Sequence, residues 1–481
     1  MRKLISRWLC ICLGTALASA CAVGPDYHRP PFDTAANYKE SGDWKPSEPA
    51  DELSRGPWWK IFQDDVLDGL EAQIDISNQN VRAAEAAFEQ SRALVSQARA
   101  GFWPTIAASL GAQRQGSQSP AVVTNGAGVN TSVSKNQTTY STGLSANWDI
   151  DIWGRIRRNT ESNVASAQAS SAALAAARLS AQAQLATAYF ELRAQDQLEK
   201  LLDDTVVAET LSLKITESRY KFGVAARADV VTAETQLLSS QAQQVNAKIQ
   251  RAILEHAVAV LIGKQPAEFS LSASAMRSDV PVVPAGVPST LLERRPDVAE
   301  AERRMAAANA QIGVAKTGYF PDLTLTGQDL YSSSSFSRLI RNTNRVWAVG
   351  PSLAETLFNG GLTRAQVRAA RATYEGTVDT YRQTVLTSFQ QVEDEIVSLR
   401  VLEQEGVIED ETVKKAREAE ALTLNQYKAG TVPYSSVITA QTVRLSAEET
   451  ALQVLSSRLQ ASVALVEALG GGWDASMATA K

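Results

Sequence analysis

The sequence predicts a mainly α protein that carries a transmembrane β-barrel, its chain built from two internal repeats of helix-strand-strand-helix-helix. Three observations predict it. The stretch "YKFGVAARADVVTAE" from Tyr220 is spelled almost again as "YKAGTVPYSSVITAQ" from Tyr427, 207 residues later. Between Gly154 and Tyr220 there is no Pro or Gly, and between Leu362 and Tyr427 only Gly376 and Gly406 interrupt. Runs of ~66 residues, if helical throughout, would each be ~100 Å long, far beyond what a globular domain needs. Between such runs lie paired segments in which apolar residues alternate with small or polar ones, the pattern of a strand with one face to lipid and one to water.

The repeat extends along most of the chain. "NVRAAEAAFEQSRALVSQARAGFWPTIAAS" from Asn80 answers to "DVAEAERRMAAANAQIGVAKTGYFPDLTLT" from Asp297, with Val81 matching Val298 and Pro104 matching Pro321 at an offset of 217. Further on, Gly154 answers Gly360 at 206, Tyr220 answers Tyr427 at 207, and "LIG" ending at Gly263 answers "ALG" ending at Gly470. The difference of about ten residues places an insertion between Pro104 and Gly154.

Each element follows from local signals. A helix from about Asp65 to Ala100 should end at Gly101, because Pro104 forbids its continuation. "PTIAASLGAQRQ" then reads as a strand, followed by a Gly, Ser, Asn and Thr loop. "TYSTGLSANWDIDIW" reads as a second strand with Tyr140, Leu144, Ala146, Trp148, Ile150 and Ile152 on one face. In the second repeat "FPDLTLTGQDLY" and "RVWAVGPSLAETLF" take these places, and Asn359-Gly360-Gly361 breaks the chain before the next helix. In the long helices Leu185, Tyr189 and Leu192, then Leu198, Leu202 and Val206, keep spacings of three and four and so form a packing stripe.

On this plan residues 1–20 are a lipoprotein signal peptide and 21–64 a lipid-anchored strap. Repeat 1 covers 65–263, with strands at about 104–115 and 138–152 and helices at about 154–220 and 229–263. A linker, 264–290, leads to repeat 2 at 291–470, with strands at about 321–331 and 345–358 and helices at about 361–427 and 436–469; 471–481 is a tail.

Composition excludes several classes. With 481 residues and 44% hydrophobic content the chain can build a substantial core, and it is not a disordered protein. Setting aside Arg2, Lys3 and Arg7 as targeting residues takes the formal charge from −5 to −8, so no nucleic-acid partner is expected. The N-terminus "MRKLISRWLCICLGTALASAC" has a basic start, an apolar stretch and small residues before Cys21, the layout of a bacterial secretory signal. Ser19-Ala20-Cys21 resembles a lipobox, in which cleavage leaves Cys21 first and acylated; the usual Leu three residues before it is here Ala18. The alternative is a plain signal cut near Ala20 that leaves Cys21 as a spare thiol. Cys10 and Cys12 lie within the signal, so the mature chain is expected to hold one cysteine and no internal disulfide. The strap that follows is rich in Pro, Gly and polar residues, with Trp44, Trp58 and Trp59 expected to pack on the body.

An enzyme finds little to work with. Only His28 and His256 exist, so no His-based triad, metal cluster or cofactor site is expected, and Gly470 to Gly472 lack the Lys and Ser or Thr of a phosphate loop. In "ERRPD", Pro296 and Asp297 suit a helix start, and Arg294, Arg295 and Asp297 are read as structural, with pairing across the equator of a tunnel. Counting strands calls for an oligomer: one chain offers four, whereas closed outer-membrane barrels begin at eight, so several copies must share one barrel, and three copies give twelve strands.

The doubled plan, the start "CAVGPDYHRP", the segment "LLERRPDVAEAE" with "GVAKTGYFPDLTLTG" and the "FNGG" break together resemble the TolC-like outer membrane factors, in particular the lipoprotein NodT or OprM-like branch of RND-type tripartite efflux systems. The resemblance covers essentially the whole mature chain. It implies a homotrimer, a twelve-stranded β-barrel in the outer membrane continued by a long α-helical barrel across the periplasm. It also implies a periplasmic adaptor and an inner-membrane transporter as partners, outer membrane lipid at Cys21, and passive conduction of small molecules such as drugs. The alternative within this reading is the outer membrane channel of a type I protein secretion system.

The repeated turn is then the expected working part. Each long helix finishes at Tyr-Lys-x-Gly, and Gly223 and Gly430 can take the left-handed conformation that closes a helix. Asp229 and Ser436, at equivalent positions, read as N-caps of the next helices. By resemblance these tips point into the periplasm and meet the adaptor, through Tyr220, Gly223 and Asp229 in one and Tyr427, Gly430 and Ser436 in the other. Relatives often carry an Asp in the second tip with a basic residue three places on; here Thr439 and Thr442 stand there. Gate candidates are therefore Thr232 and Glu234 in the first tip and Thr439, Thr442 and Arg444 in the second.

Overall fold

A computed structural model describes residues 22–31, 38–41, 57–119, 133–281, 283 and 295–471. Cys21 and the signal, Trp44, Arg294 and the tail after Gly471 lie outside the described residues. The chain divides into two compact units.

One unit comprises residues 1–30, 90–167 and 303–378. Its centre is an antiparallel sheet, order β1-β2-β3-β4, of β1 (Thr105–Ser119), β2 (Val133–Asp149), β3 (Asp322–Ser333) and β4 (Arg345–Ala354). Register follows the alternation. Ile106 lies opposite Ala146, Ala108 opposite Leu144, Trp148 opposite Leu325 and Gly327 opposite Val349, so one face gathers the apolar residues. On that face Ile106, Leu110, Leu144, Trp347, Val349 and Leu353 are all exposed. The opposite face carries Ser109, Gln113, Thr139, Ser145, Thr324 and Gln328.

The strands end differently from the expectation. β2 stops at Asp149 rather than 152, because Asp151 turns its carboxylate to the amides of Ile156 and Arg157 (3.0 and 2.9 Å) and so opens the next helix. β4 stops at Ala354 rather than 358, and β1 runs on to Ser119. Trp148 Nε1 donates to Phe102 O and Trp153 Nε1 to Pro321 O, both at 2.9 Å, and Trp153 stacks on Phe320 at 4.7 Å.

The strap crosses this unit in an extended path fixed by two glycines. Gly24 has φ +122° and lies against Gly313; a Cβ on either would run into the other segment's backbone. Arg158 closes the contact, donating to Asp26 and Glu161 at 2.8 Å and to Val23 O at 3.3 Å. Burial of its guanidinium is offset by these acceptors, and Asp26 is held below the usual carboxylate range by the hydrogen bond from Arg158 and by its charge.

The other unit comprises residues 31–89, 168–302 and 379–481. Its helices are α1 (Asp65–Ser77), the first half of α2 (Gln79–Ala100), the greater part of α3 (Arg155–Lys221), α4 (Arg227–Leu261), most of α6 (Leu362–Ala429) and α7 (Tyr434–Ala468); α5 is Pro296–Thr317. The core gathers Trp58, Phe62, Leu67, Ile74, Leu185, Phe190 and Ile262, all essentially inaccessible. Trp58 thus packs on the body as expected, with its Nε1 donating to Gln182 Oε1 at 3.2 Å.

The single helix expected from Asp65 to Ala100 is broken at Asn78, which takes extended backbone (φ −64°, ψ 120°). The Asn78 side chain explains the break. Its Oδ1 accepts from the amides of Asn80 and Val81 (2.9 and 3.1 Å), capping α2, while Nδ2 donates to Leu261 O at 2.7 Å. Ser77 Oγ donates to Ile262 O at 2.6 Å, so two residues satisfy the carbonyls at the end of α4. Gly263, at φ +70°, lies against Ser77 O and has no room for a Cβ. At the start of α5, Arg295 makes a bidentate pair with Asp297 (2.9 and 2.7 Å) and donates to Ala468 O at 3.0 Å. This pair fastens the helix start to its own chain instead of reaching across a tunnel.

Candidate functional site

The two repeated turns have the same backbone. After α3, Gly223 takes φ +73°, its amide donating to Tyr220 O while that of Val224 donates to Arg219 O. After α6, Gly430 takes φ +79°, with Gly430 N to Tyr427 O and Thr431 N to Gln426 O. This is the left-handed closure that Tyr-Lys-x-Gly predicts.

The capping residues differ from expectation. α4 begins at Arg227 behind Ala226 and α7 at Tyr434 behind Pro433, and neither flanking residue supplies a side-chain cap. Asp229 and Ser436 lie inside the first turns, their amides donating to the carbonyls of Ala226 and Pro433. Pro433, its φ fixed at −73°, leads the chain into α7 without a side-chain cap, and Asp229 in the first turn of α4 still meets the positive end of the helix dipole.

The surroundings of the two turns are unequal. Tyr427 is 3% exposed, packed at 5.1 Å on Tyr434 in a cluster with Ala233 and Val437. The Arg219 guanidinium covers its ring at 4.8 Å and donates to Lys428 O at 2.8 Å, and Tyr427 Oη lies 3.4 Å from Thr216 Oγ1. Burial raises the Tyr434 hydroxyl to about 12. Tyr220, its counterpart, is 43% exposed, with Arg227 6.0 Å from its ring.

The gate candidates divide in the same way. Thr232 and Thr439 are exposed and donate back to Ala228 O and Ser435 O of their own helices, at 2.7 and 3.1 Å. Thr442 is exposed and Glu234 half-buried. Arg444 instead sits inside the chain: it pairs with Glu420 at 2.6 Å and with Glu448, and its Nη2 lies 3.3 Å from Thr205 Oγ1. Arg417 also reaches Glu448, at 2.6 Å. Nearby, Gln441 Nε2 donates to Ser212 Oγ at 3.3 Å and Gln236 Nε2 to Glu209 at 3.0 Å, while burial raises the Glu209 carboxyl above its ordinary range. Sequence reasoning singled out Arg444 and missed Arg219, Ser212, Thr216, Glu420, Gln441 and Glu448. A search for complementary charges one helical turn away finds Glu448; Glu420 lies on another helix.

Among the described residues no group of His, Cys, Asp or Glu is placed to hold a metal ion, and no helix is long and apolar enough to cross a membrane. The outer membrane efflux protein family profile matches residues 72–264 and 287–471, two stretches that fall on the two repeats. The chain belongs to the outer membrane efflux protein family. It is 32% identical over 427 residues to the pyoverdine export outer membrane protein OpmQ of Pseudomonas aeruginosa, covering 87% of each chain. It is 27% identical over 461 residues to the probable efflux pump outer membrane protein TtgC of Pseudomonas putida, covering 95% of this chain and 94% of that one. Among solved structures, the outer-membrane channel OprN superposes with a TM-score of 0.85 at 30% identity, over 94% of this chain and all of OprN. The protein is thus an outer membrane efflux channel of the TolC-like fold, a transport family and not an enzyme class.

Proposed function

We propose that three copies close one twelve-stranded barrel in the outer membrane and that their helices form a tunnel through which small molecules pass passively from an inner-membrane transporter and a periplasmic adaptor to the exterior. The observation that carries this reading is the sheet. Four strands in the order β1-β2-β3-β4 leave both outer strands unpaired among the described residues, and the apolar face is exposed. A membrane-spanning sheet must close on itself, because lipid satisfies no backbone hydrogen bonds. β1 and β4 run antiparallel to one another, so the next copy can continue the pattern.

In this reading Cys21 carries the lipid anchor and the turns at Tyr220, Gly223 and Asp229 and at Tyr427, Gly430 and Ser436 meet the adaptor. Thr232, Glu234, Thr439 and Thr442 then line the closed mouth, while Arg444 acts from behind by holding α7 on α6. Cargo is selected by the transporter, in keeping with relatives named for pyoverdine and for toluene. Reconstitution in a planar bilayer tests the channel: single-channel steps and a native mass of three chains are expected. A monomer without conductance under any opening condition would sink the reading.

A further inference from the structure

The turn between β3 and β4 carries more positive charge than a connection between two strands requires. β3 follows α5 and β4 leads into α6, so residues 334–344 join the strands at the end of the sheet away from those helices. In the proposed channel that end meets the exterior. Register puts Arg345, Trp347 and Tyr331 on the same face as Leu144, Val349 and Leu353. The nine residues from Leu353 back to Arg345 are the length, about 9–11, that a tilted strand needs to cross the hydrocarbon. Arg345 therefore stands where lipid tails give way to headgroups, above an aromatic girdle of Trp347, Tyr331 and Tyr140.

The turn holds two more arginines at that level. Phe336 packs edge-on against Tyr140, ring centroids 5.6 Å apart, which draws the turn toward the lipid-facing side. Leu339 is buried, whereas Phe336 and Ile340 are 64% and 77% exposed. Asn344 closes the turn: its Nδ2 donates to Arg338 O at 2.7 Å and its amide to Arg341 O at 2.8 Å. The backbone at both arginines is thus fixed, yet both side chains are exposed, and among the described residues neither guanidinium has a hydrogen-bond or ion-pair partner. Arg345, by contrast, is matched by Asp329 in a bidentate pair, both distances 2.8 Å.

An exposed Phe and Ile interleaved with free cations is unfavourable in water alone. At a membrane surface the apolar side chains enter the acyl region and the guanidiniums reach the phosphates above it. Every cation in residues 334–345 is an arginine, whose planar fork matches phosphate oxygens two at a time. The turn at the same end of repeat 1, residues 120–132, contains no charged residue, so charge is not a general requirement of a connection there.

We infer that Arg338 and Arg341, flanked by Arg345, bind the phosphate groups of a phosphorylated glycolipid in the outer leaflet, with Phe336 and Ile340 among its acyl chains. Two unpaired guanidiniums three positions apart suit a headgroup that carries two phosphate monoesters. The single diester of an ordinary phospholipid supplies too little charge for both. The inference rests on the proposed channel, which sets this turn at the outer surface.

Titration with a defined lipid tests it. The full-length protein in detergent is titrated with bisphosphorylated lipid A in the presence of EDTA, so that no divalent cation bridges, and bound lipid is read by native mass spectrometry. An arginine near an anionic surface is worth about five-fold in affinity, so Arg338→Ala with Arg341→Ala should weaken binding about 25-fold. Lipid A stripped of its phosphates should bind the parent as weakly as intact lipid A binds the double variant, and phosphatidylglycerol should bind the parent roughly ten-fold more weakly than lipid A does. Equal binding of lipid A by the double variant, or of phosphatidylglycerol by the parent, would overturn the proposal. The parent's conductance in a planar bilayer separates this from the channel itself. A parent that conducts but takes up no lipid A sinks the lipid site alone, whereas one that never conducts sinks the channel and this site with it.

Discussion

Replacing Glu71 by Gln should stabilise the protein, and by more as pH rises. Glu71 lies on the face of α1 that also presents Leu67, Leu70 and Ile74 to the core, and it is 1% exposed. Neither carboxyl oxygen has a hydrogen-bond partner among the described residues. Burial, reinforced by the negative charges of Asp75 and Asp68, raises its pKa from 4.5 to about 9. The folded chain therefore keeps this proton across the range in which the unfolded chain has released it. Stability from this group is full below pH 4.5 and is lost progressively up to about pH 9. Each pH unit in that window costs ~1.4 kcal/mol, so going from about pH 5 to about pH 8 removes at most about 4 kcal/mol. Gln has the shape of the protonated acid and the same unsatisfied polar atoms, but it does not titrate. Guanidinium unfolding followed by circular dichroism in detergent, for both proteins at each pH, measures the difference. The curves should nearly coincide at the acid end and separate in favour of Glu71→Gln at the alkaline end. A gap that stays constant would refute the assignment of a buried, protonated Glu71.

Asn78→Ala removes the cap of α2 and leaves Leu261 O without its donor, so the denaturation midpoint should fall by an amount equivalent to ~2 kcal/mol. The two turn tyrosines should respond unequally: Tyr427→Ala empties a packed site at a cost of ~3 kcal/mol, whereas Tyr220→Ala should stay within ~1 kcal/mol, both read by thermal unfolding. Arg444→Ala strands Glu420 in partly buried surroundings and leaves Glu448 with Arg417 alone, at a cost of ~3 kcal/mol, and should raise the basal conductance of the closed channel in a bilayer; an unchanged leak would detach Arg444 from gating. Thr439→Gly should raise the leak more mildly, through helix loosening of ~1 kcal/mol, measured in the same way.

The parts legible in the sequence are those set by short-range rules. Long stretches free of Pro and Gly became helices, period-two alternation became strands with one apolar face, and Tyr-Lys-x-Gly became a left-handed helix stop at Gly223 and Gly430. What escaped depended on distant segments. Asn78 can cap the helix after it, a signal the reading passed over, but its second partner, Leu261, is 183 residues away. The requirement for glycine at 24 and 313 arises only where two backbones meet, 289 positions apart in the chain. Tyr220 and Tyr427 have the same local spelling, and only the presence of Arg219 and Tyr434 around the second distinguishes them. Asp229 and Ser436 failed as caps because both helices start two residues earlier than those side chains suggested.

The divergence of the two repeats also has a thermodynamic direction. A seam inside one chain forms during folding, at the high effective concentration of a tethered partner, so it can include Arg444, Glu420 and Glu448 provided that all three are paired. A seam between copies must gain free energy from association itself, and charges there would first have to shed their water. Replacing Arg444 by Leu237 and Glu209 by Ala416 at the equivalent places removes that desolvation cost and leaves apolar area to be covered. Exchanging the pair, with Leu237→Arg together with Ala416→Glu, should therefore keep the geometry but weaken assembly. The proposed trimer should dissociate at a lower detergent concentration in the exchanged variant than in the parent. If assembly were unchanged or stronger, the apolar character of that seam would not be what drives the copies together.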